Sequence, residues 1–272
     1  MTRPLTPRVL WVGLSVLLAS SSLAWGQADA ELLAKAKAGD PEAQFSLGMI
    51  YYKLPDDVEE DAEALKLFRE AADQGHAAAQ YRVGWMYEKG LGVAENDIEA
   101  IRWFRKAAEQ GHPRAQFNLA LMTYHGEGVP ADEVEALKWY RKASEQGDAD
   151  AQVKLGRMYE SGESVARDEA EALKRYREAA EQGDGEAQYL LGAMYARGNG
   201  VEQDVVQTWM WWNLAAESGY YEDGNTMDRI WMSRTWHRAR FWLLDLQMTN
   251  EQIAESQKMA SDWQERLVGS GK

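Results

Sequence analysis

"AAEQGHPRAQ", residues 107–116, is written again with small changes as "AADQGHAAAQ" at 71–80, "ASEQGDADAQ" at 143–152 and "AAEQGDGEAQ" at 179–188. The copies keep register. The pair "AQ" falls at 43–44, 79–80, 115–116, 151–152 and 187–188, each 36 residues after the last. Gly39, Gly75, Gly111, Gly147, Gly183 and Gly219 recur at the same interval. Five copies in register without an insertion mark a chain built from identical supersecondary units that stack on their neighbours.

Each interval reads as two helices. In "PRAQFNLALMTY" (113–124), Ala115, Leu119 and Met122 share one stripe at helical spacing. "GEGVP" (126–130) breaks the pattern with two Gly and a Pro. "DEVEALKWYRKASEQ" (132–146) restores it through Ala136, Tyr140 and Ala143. Gly147 then stops the second helix, since glycine takes the left-handed conformation without steric cost. Asp148 suits the N-cap of the following helix, as do Asp40 and Asp184, and Pro41 and Pro113 suit first helical positions. Gly48, Gly84, Ala120, Gly156 and Gly192 share one place in the first helix. Paired alanines at 71–72, 107–108, 179–180 and 215–216 share one in the second. Small residues here predict close helix approach, with Leu, Tyr and Trp filling the space between.

The residues that recur are A-x-x-x-L-G-x-x-Y-x-x-G-x-G-V, followed by A-x-x-W-x-x-K-A-A-x-Q-G. The second copy reads "AAQYRVGWMYEKGLGVAENDIEAIRWFRKAAEQG" (78–111). This resembles the Sel-one-like repeat, a relative of the tetratricopeptide repeat. The resemblance covers residues 41–219. It implies an all-α fold, an α-solenoid in which antiparallel helix pairs wind as a right-handed superhelix. It also implies a role in protein–protein interaction without family-wide chemistry. Three departures touch local packing: "LPDDV" (54–58) replaces the glycine-rich loop, Thr123 the usual Tyr, and Arg175 the usual Trp.

The ends differ from the middle. "ADAELLAKAKA" (28–38) looks like a second helix without a first, so residues 27–40 are expected to cap the array. "MTNEQIAESQKMASDW" (248–263) resembles the closing helix of bacterial relatives, with Thr249 as N-cap and Gln252 completing a capping box. Residues 220–272 are thus expected to form a Trp-rich helical cap. Trp209, Trp211, Trp212, Trp231, Trp236 and Trp242 lie close together, interleaved with Arg229, Arg234, Arg238 and Arg240. Two readings stand: an aromatic core sealing the last repeat, or exposed anchors for a partner.

Composition narrows the function. The chain has 272 residues, 45% hydrophobic and 27% charged, which fits a folded protein. A net charge of −14 argues against nucleic acid as a partner. Arg3 and Arg8 precede the apolar "VLWVGLSVLLASSSLAW" (9–25), the layout of a secretory signal over residues 1–26. Ala24 and Gly26 fit cleavage before Gln27, and Ser22 and Ala24 an earlier cut; an uncleaved anchor is the competing reading. Cleavage predicts a periplasmic or secreted protein without stable membrane insertion. With no cysteine, thiolate chemistry and disulfides are excluded.

Chemistry-bearing motifs are missing. His76 and His112 occupy the same turn position where other copies carry Asp, so a turn role is preferred to a metal pair. His125 and His237 have no motif partner. "DDVEEDAE" (56–63) lacks calcium-loop spacing and suits a helix entrance. No phosphate loop, G-x-S-x-G or zinc-protease motif occurs. No enzyme, metal or cofactor is expected. The enzymatic alternative, a cell-wall- or β-lactam-directed activity, would have its site in residues 220–247. A further alternative is a subunit of an envelope secretion complex.

Binding must then live where the copies disagree. At about 100° per residue, the repeated positions of the first helix gather on one side. The opposite side carries offsets +3, +6 and +10 from the first Ala, and the resemblance implies that this side lines the concave surface. Those offsets give Ser46, Met49, Lys53, Arg82, Trp85, Lys89, Asn118, Leu121, His125, Lys154, Arg157, Ser161, Leu190, Ala193 and Arg197. The set holds six Lys or Arg and no acid, in a chain of 44 acids. It predicts a basic, partly apolar groove for a partner's acidic segment, such as one in an envelope or membrane-sensor protein. Ordinary basic residues on a solvated helix face are the competing reading.

Overall fold

Each repeated 36-residue interval folds into a pair of helices, and in the last four a tight loop joins them. The computed structural model describes residues 22–52, 58–219 and 248–269. Among them the elements are α1 (Ser22–Lys37), α2 (Pro41–Tyr52), α3 (Val58–Asp73), α4 (Ala77–Lys89), α5 (Asp97–Glu109), α6 (Pro113–His125), α7 (Glu133–Glu145), α8 (Ala149–Ser161), α9 (Glu169–Ala180), α10 (Gly185–Arg197), α11 (Val205–Glu217) and α12 (Asn250–Gly269). There is no strand among the described residues. The repeats are α2–α3, α4–α5, α6–α7, α8–α9 and α10–α11. The signal segment expected over 1–26 lies mostly outside the described residues, and α1 begins at Ser22, ahead of the expected cleavage point.

The chain divides into two compact units. The first is Met1–Ala115 with Glu127–Val129, and the second is Gln116–Gly126 with Pro130–Lys272. Each is built the same way.

The repeated small residue explains the close packing within a helix pair. A Cβ at Gly48 would stand 2.7 Å from a ring carbon of Phe68, and one at Gly84 2.8 Å from Phe104. In the second unit, Gly192 faces Trp212 at 2.5 Å and Gly156 faces Tyr176. The third repeat carries Ala120 instead, buried in one cluster with Tyr140. The ring of the second helix thus fills the space that the glycine leaves, and a branched or longer side chain would collide with it.

Caps set the helix ends. The first helices are capped by Asp40, His76, His112, Asp148 and Asp184, each accepting from the backbone N–H three residues on, at 2.8–3.2 Å. Both histidines act through Nδ1, which requires a neutral ring. The second helices carry caps of the same kind at Asn96, Asp132, Asp168 and Asp204. At the other end, Gly147 turns left-handed at φ +87°, and the next amide, Asp148 N–H, donates back to Ala143 O at 3.0 Å. In the loops, Gly200 holds φ +66° with Glu169 O 2.5 Å from where its Cβ would be. The fourth repeat puts Ser164 at the corresponding position with φ +60°, and its hydroxyl donates to Glu133.

A glutamine ladder ties the helices together. The Gln of "AQ" accepts from the Gln that precedes the terminal Gly of the same repeat. The pairs are Gln74–Gln44 (2.8 Å), Gln110–Gln80 (2.6 Å), Gln146–Gln116 (2.6 Å) and Gln182–Gln152 (2.8 Å). The amide nitrogens of Gln80, Gln152 and Gln188 donate to carbonyls ending the preceding second helix, at Ala72, Ser144 and Ala180. These glutamines are buried, so each satisfied amide group avoids a desolvation cost of about 1–3 kcal/mol. The fifth repeat has Ser218 where the ladder calls for Gln. Gln188 Oε1 is accordingly buried with no partner among the described residues.

The closing helix follows its expected cap. Thr249 N–H donates to Gln252 Oε1 at 2.8 Å, and Gln252 N–H donates back to Thr249 Oγ1 at 3.2 Å. α12 buries Ala260 in the core of the second unit and sets Trp263 edge-on to Trp211, ring centres 5.3 Å apart. Trp209 and Trp211 are buried, and Trp212 donates its indole N–H to Tyr189 O at 3.1 Å. Trp209 and Trp211 belong to the core, and Trp212 packs half-buried against Gly192; Trp231, Trp236, Trp242 and the interleaved arginines lie outside the described residues.

Candidate functional site: the first-helix faces

The offsets chosen from the sequence fall side by side on adjacent first helices within each unit. In the first unit they come from α2 and α4. Tyr52 and Trp85 meet edge-on, ring centres 5.5 Å apart. The Arg82 guanidinium lies 5.4 Å from the Tyr52 ring centre and 5.8 Å from that of Tyr81. Tyr81 in turn stacks on His112 at 4.8 Å. Ser46 and Met49 are half-buried on α2. Lys89 is exposed and held by its neighbour Glu88 at 2.6 Å. Lys53 lies outside the described residues.

In the second unit the face comes from α6, α8 and α10. Lys154 Nζ sits 4.3 Å above the Tyr124 ring, and the Tyr124 hydroxyl donates to Glu163. That hydrogen bond raises the Tyr124 pKa to about 12, because it favours the protonated phenol. His125 is exposed and edge-on to Tyr124. Arg157 gives Nε and Nη2 to Glu186 Oε1, at 2.9 and 2.6 Å. Arg197 lies 3.7 Å from Glu160. Ser161 Oγ donates to Met158 O at 3.3 Å and accepts from Glu163 N–H. Asn118 and Leu121 are half-buried. Leu190 is also half-buried and packs on the unit's core.

Two expectations need correction. Ala193 is only 7% exposed, because a lone methyl projects too little to clear the helix surface, so it offers nothing to a partner. The face is also not free of acids. Glu88 and Glu160 sit at offset +9 and Glu186 immediately precedes the first Ala; their long side chains reach the cations at the chosen offsets. Tyr52 and Tyr124, also at offset +9, were missed for the same reason. The signal that would have found them is the neighbouring offset on the adjacent helix, since side chains meet across helices and not only along one.

His76 and His112 serve as caps, as preferred. No group of three or more His, Cys, Asp or Glu among the described residues is arranged to hold a metal. Residues 220–247, the place expected for an enzyme's site, lie outside the described residues. Arg175, where Trp is usual, is half-buried and gripped by Glu171 at 2.5 Å and Glu178 at 3.1 Å. Thr123, where Tyr is usual, is buried at 1% exposure.

The paired helices and their register have a match. Residues 41–76, 77–112, 113–148, 149–184 and 185–220 each match the model of the Sel1 repeat. The chain belongs to the Sel1-repeat family. Among solved structures, it is similar to a Sel1 repeat protein from Oxalobacter formigenes, with 35% identity and a TM-score of 0.64 over 76% of this chain and 86% of the other. It is also similar to c5321, a protective antigen of uropathogenic Escherichia coli strains with the same repeat fold. There identity is 32% and the TM-score 0.68 over 89% of this chain, which spans about half (51%) of that protein. No match was found among curated proteins. Sel1 repeats are typically non-enzymatic protein-interaction scaffolds, and the α-solenoid class read from the sequence is the class observed.

Proposed function

We propose that this Sel1-repeat chain is an exported, non-enzymatic adaptor or regulator of the bacterial cell envelope, binding a partner protein's segment along the first-helix faces. The observation carrying the reading is that residues which vary between repeats line up on adjacent first helices, while the invariant ones are spent on packing. Trp85 with Tyr52 offers an aromatic anchor, and Arg82 a charge beside it. The basic start and apolar run of residues 1–26 support export and delivery to the periplasm or beyond. No helix of the described residues is long and apolar enough to cross a membrane.

The test is site-specific photo-crosslinking in the cell that makes the protein. A crosslinker at position 85 or 121 is expected to capture a partner in the envelope fraction, and one at Lys174, exposed on a second helix, to capture none. The mature N-terminus, sequenced from the same fraction, is expected near Gln27. Capture from position 174 alone, or a cytoplasmic chain beginning at Met1, overturns the reading.

A further inference from the structure

Most of the described cations on these faces have a partner, and one stands apart. Lys89 is paired with Glu88, Arg157 with Glu186 and Arg197 with Glu160, while Lys154 covers a tyrosine whose hydroxyl bonds Glu163. A carboxylate arriving at an arginine or lysine of the second unit's face must displace an intramolecular one, or approach past it. Arg82 differs. It has contacts with the Tyr52 and Tyr81 rings and no ion pair among the described residues.

A guanidinium lying over ring faces keeps its N–H donors in its own plane, where they remain available for a planar acceptor. Two rings also restrict its rotamers in advance, lowering the entropy lost when a ligand is gripped. Half-buried Trp85 and Met49 lie at the next offset of the same two helices. The charge of Arg82 is felt nearby: burial first, and then Arg82, hold the His112 imidazole below its ordinary pKa.

Resting on the reading of this face as a binding surface, we infer that Arg82 seats a carboxylate of the partner segment, with an apolar or aromatic side chain beside it on Trp85 and Met49. The net charge of −14 adds a limit. Long acidic runs are repelled by the chain as a whole, but that repulsion fades beyond about 8 Å at physiological salt. The ligand class is therefore a mostly apolar segment with one or two well-placed Glu or Asp residues, not a polyacid.

The test uses the full chain and three capped twelve-residue peptides alike except at the centre: Leu-Glu-Trp, Leu-Gln-Trp and Leu-Lys-Trp. Binding is read by histidine-selective NMR, which is sparse because the chain has four His. The Glu peptide is expected to bind at least about fivefold more tightly than its Gln twin and to move the His112 signals while leaving His125 in place. Arg82→Gln is expected to abolish that preference and Arg82→Lys to keep part of it, while Arg157→Gln changes it less than about twofold. The decisive comparison lies in the peptide, so it does not depend on any variant folding. If a peptide moves His112 or His125 without preferring Glu, or if Arg157→Gln removes the preference, the Arg82 inference fails and the face remains a binding surface. If no peptide moves either histidine, both fail.

Discussion

In the first unit Arg82 lies over Tyr52 and Tyr81 with no carboxylate against it among the described residues, whereas in the second Arg157 is held by Glu186 and Arg197 lies beside Glu160. Beneath these faces the construction is the same. Gly84 admits Phe104 in one unit as Gly156 admits Tyr176 in the other, and Gln80–Gln110 matches Gln152–Gln182. The difference teaches that a repeat protein has two sets of residues under separate constraints. Those that pack between helices must recur, since each neighbour presents the same shape. Those on the other side of the first helix are under no such demand, so Arg157 and Arg197 lie against carboxylates in one unit while Arg82, in the other, has none among the described residues.

The largest effect should come from breaking the shared part. Gly84→Val and Gly156→Val would each drive a branched side chain into an aromatic ring, so each should cost about 2–3 kcal/mol, read from urea unfolding. Comparable losses would support a common packing rule; tolerance at one site and not the other would separate the units.

Repairing the ladder should have a smaller effect of opposite sign. Ser218→Gln would supply the partner that Gln188 Oε1 lacks. It gives up the Ser218 hydroxyl bond to Ala215 O, which is exposed to competition from water. The expected gain is about 1 kcal/mol, a rise of roughly 2–4 °C in Tm. An unchanged or lower Tm would mean that the last repeat does not need the ladder.

The finest test acts on the faces. In the Arg82→Gln background, Glu186→Gln should remove one carboxylate from Arg157 and restore a roughly two- to fivefold preference for the Leu-Glu-Trp peptide over its Gln twin. The modest size follows because Arg157 and Glu186 are solvent-exposed and their pairing is weak. Failure to restore it would show that more than charge pairing distinguishes the two faces.

Much of this was legible from the letters. The interval gave the helix pairs, and Gly147 with Asp148 marked a stop and a start that the backbone adopts. Thr249 and Gln252 form the reciprocal cap that their spacing suggests. His76 and His112 were readable as turn residues because Asp fills that place elsewhere. The glutamine ladder was less legible: both of its letters recur visibly, but nothing in a list of recurring residues says that two of them, thirty positions apart, are bonded to each other. The charge of the faces was misjudged for a related reason. Counting Lys and Arg at three offsets ignored acids at offset +9 and just before the first Ala, and a glutamate side chain is long enough to reach a cation on its own or the adjacent helix.

The sequence alone determined what depends on neighbours within a few residues: the helices, their caps, their glycine stops and the period that makes them stack. Only the tertiary structure decided which side chains meet across helices, and so that Arg157 is answered by Glu186 while Arg82, among the described residues, is not. Backbone hydrogen bonds and caps form locally and leave a trace in spacing. The field at a surface arginine is set by whichever charge the fold brings within a few ångströms, and residue spacing does not record that distance.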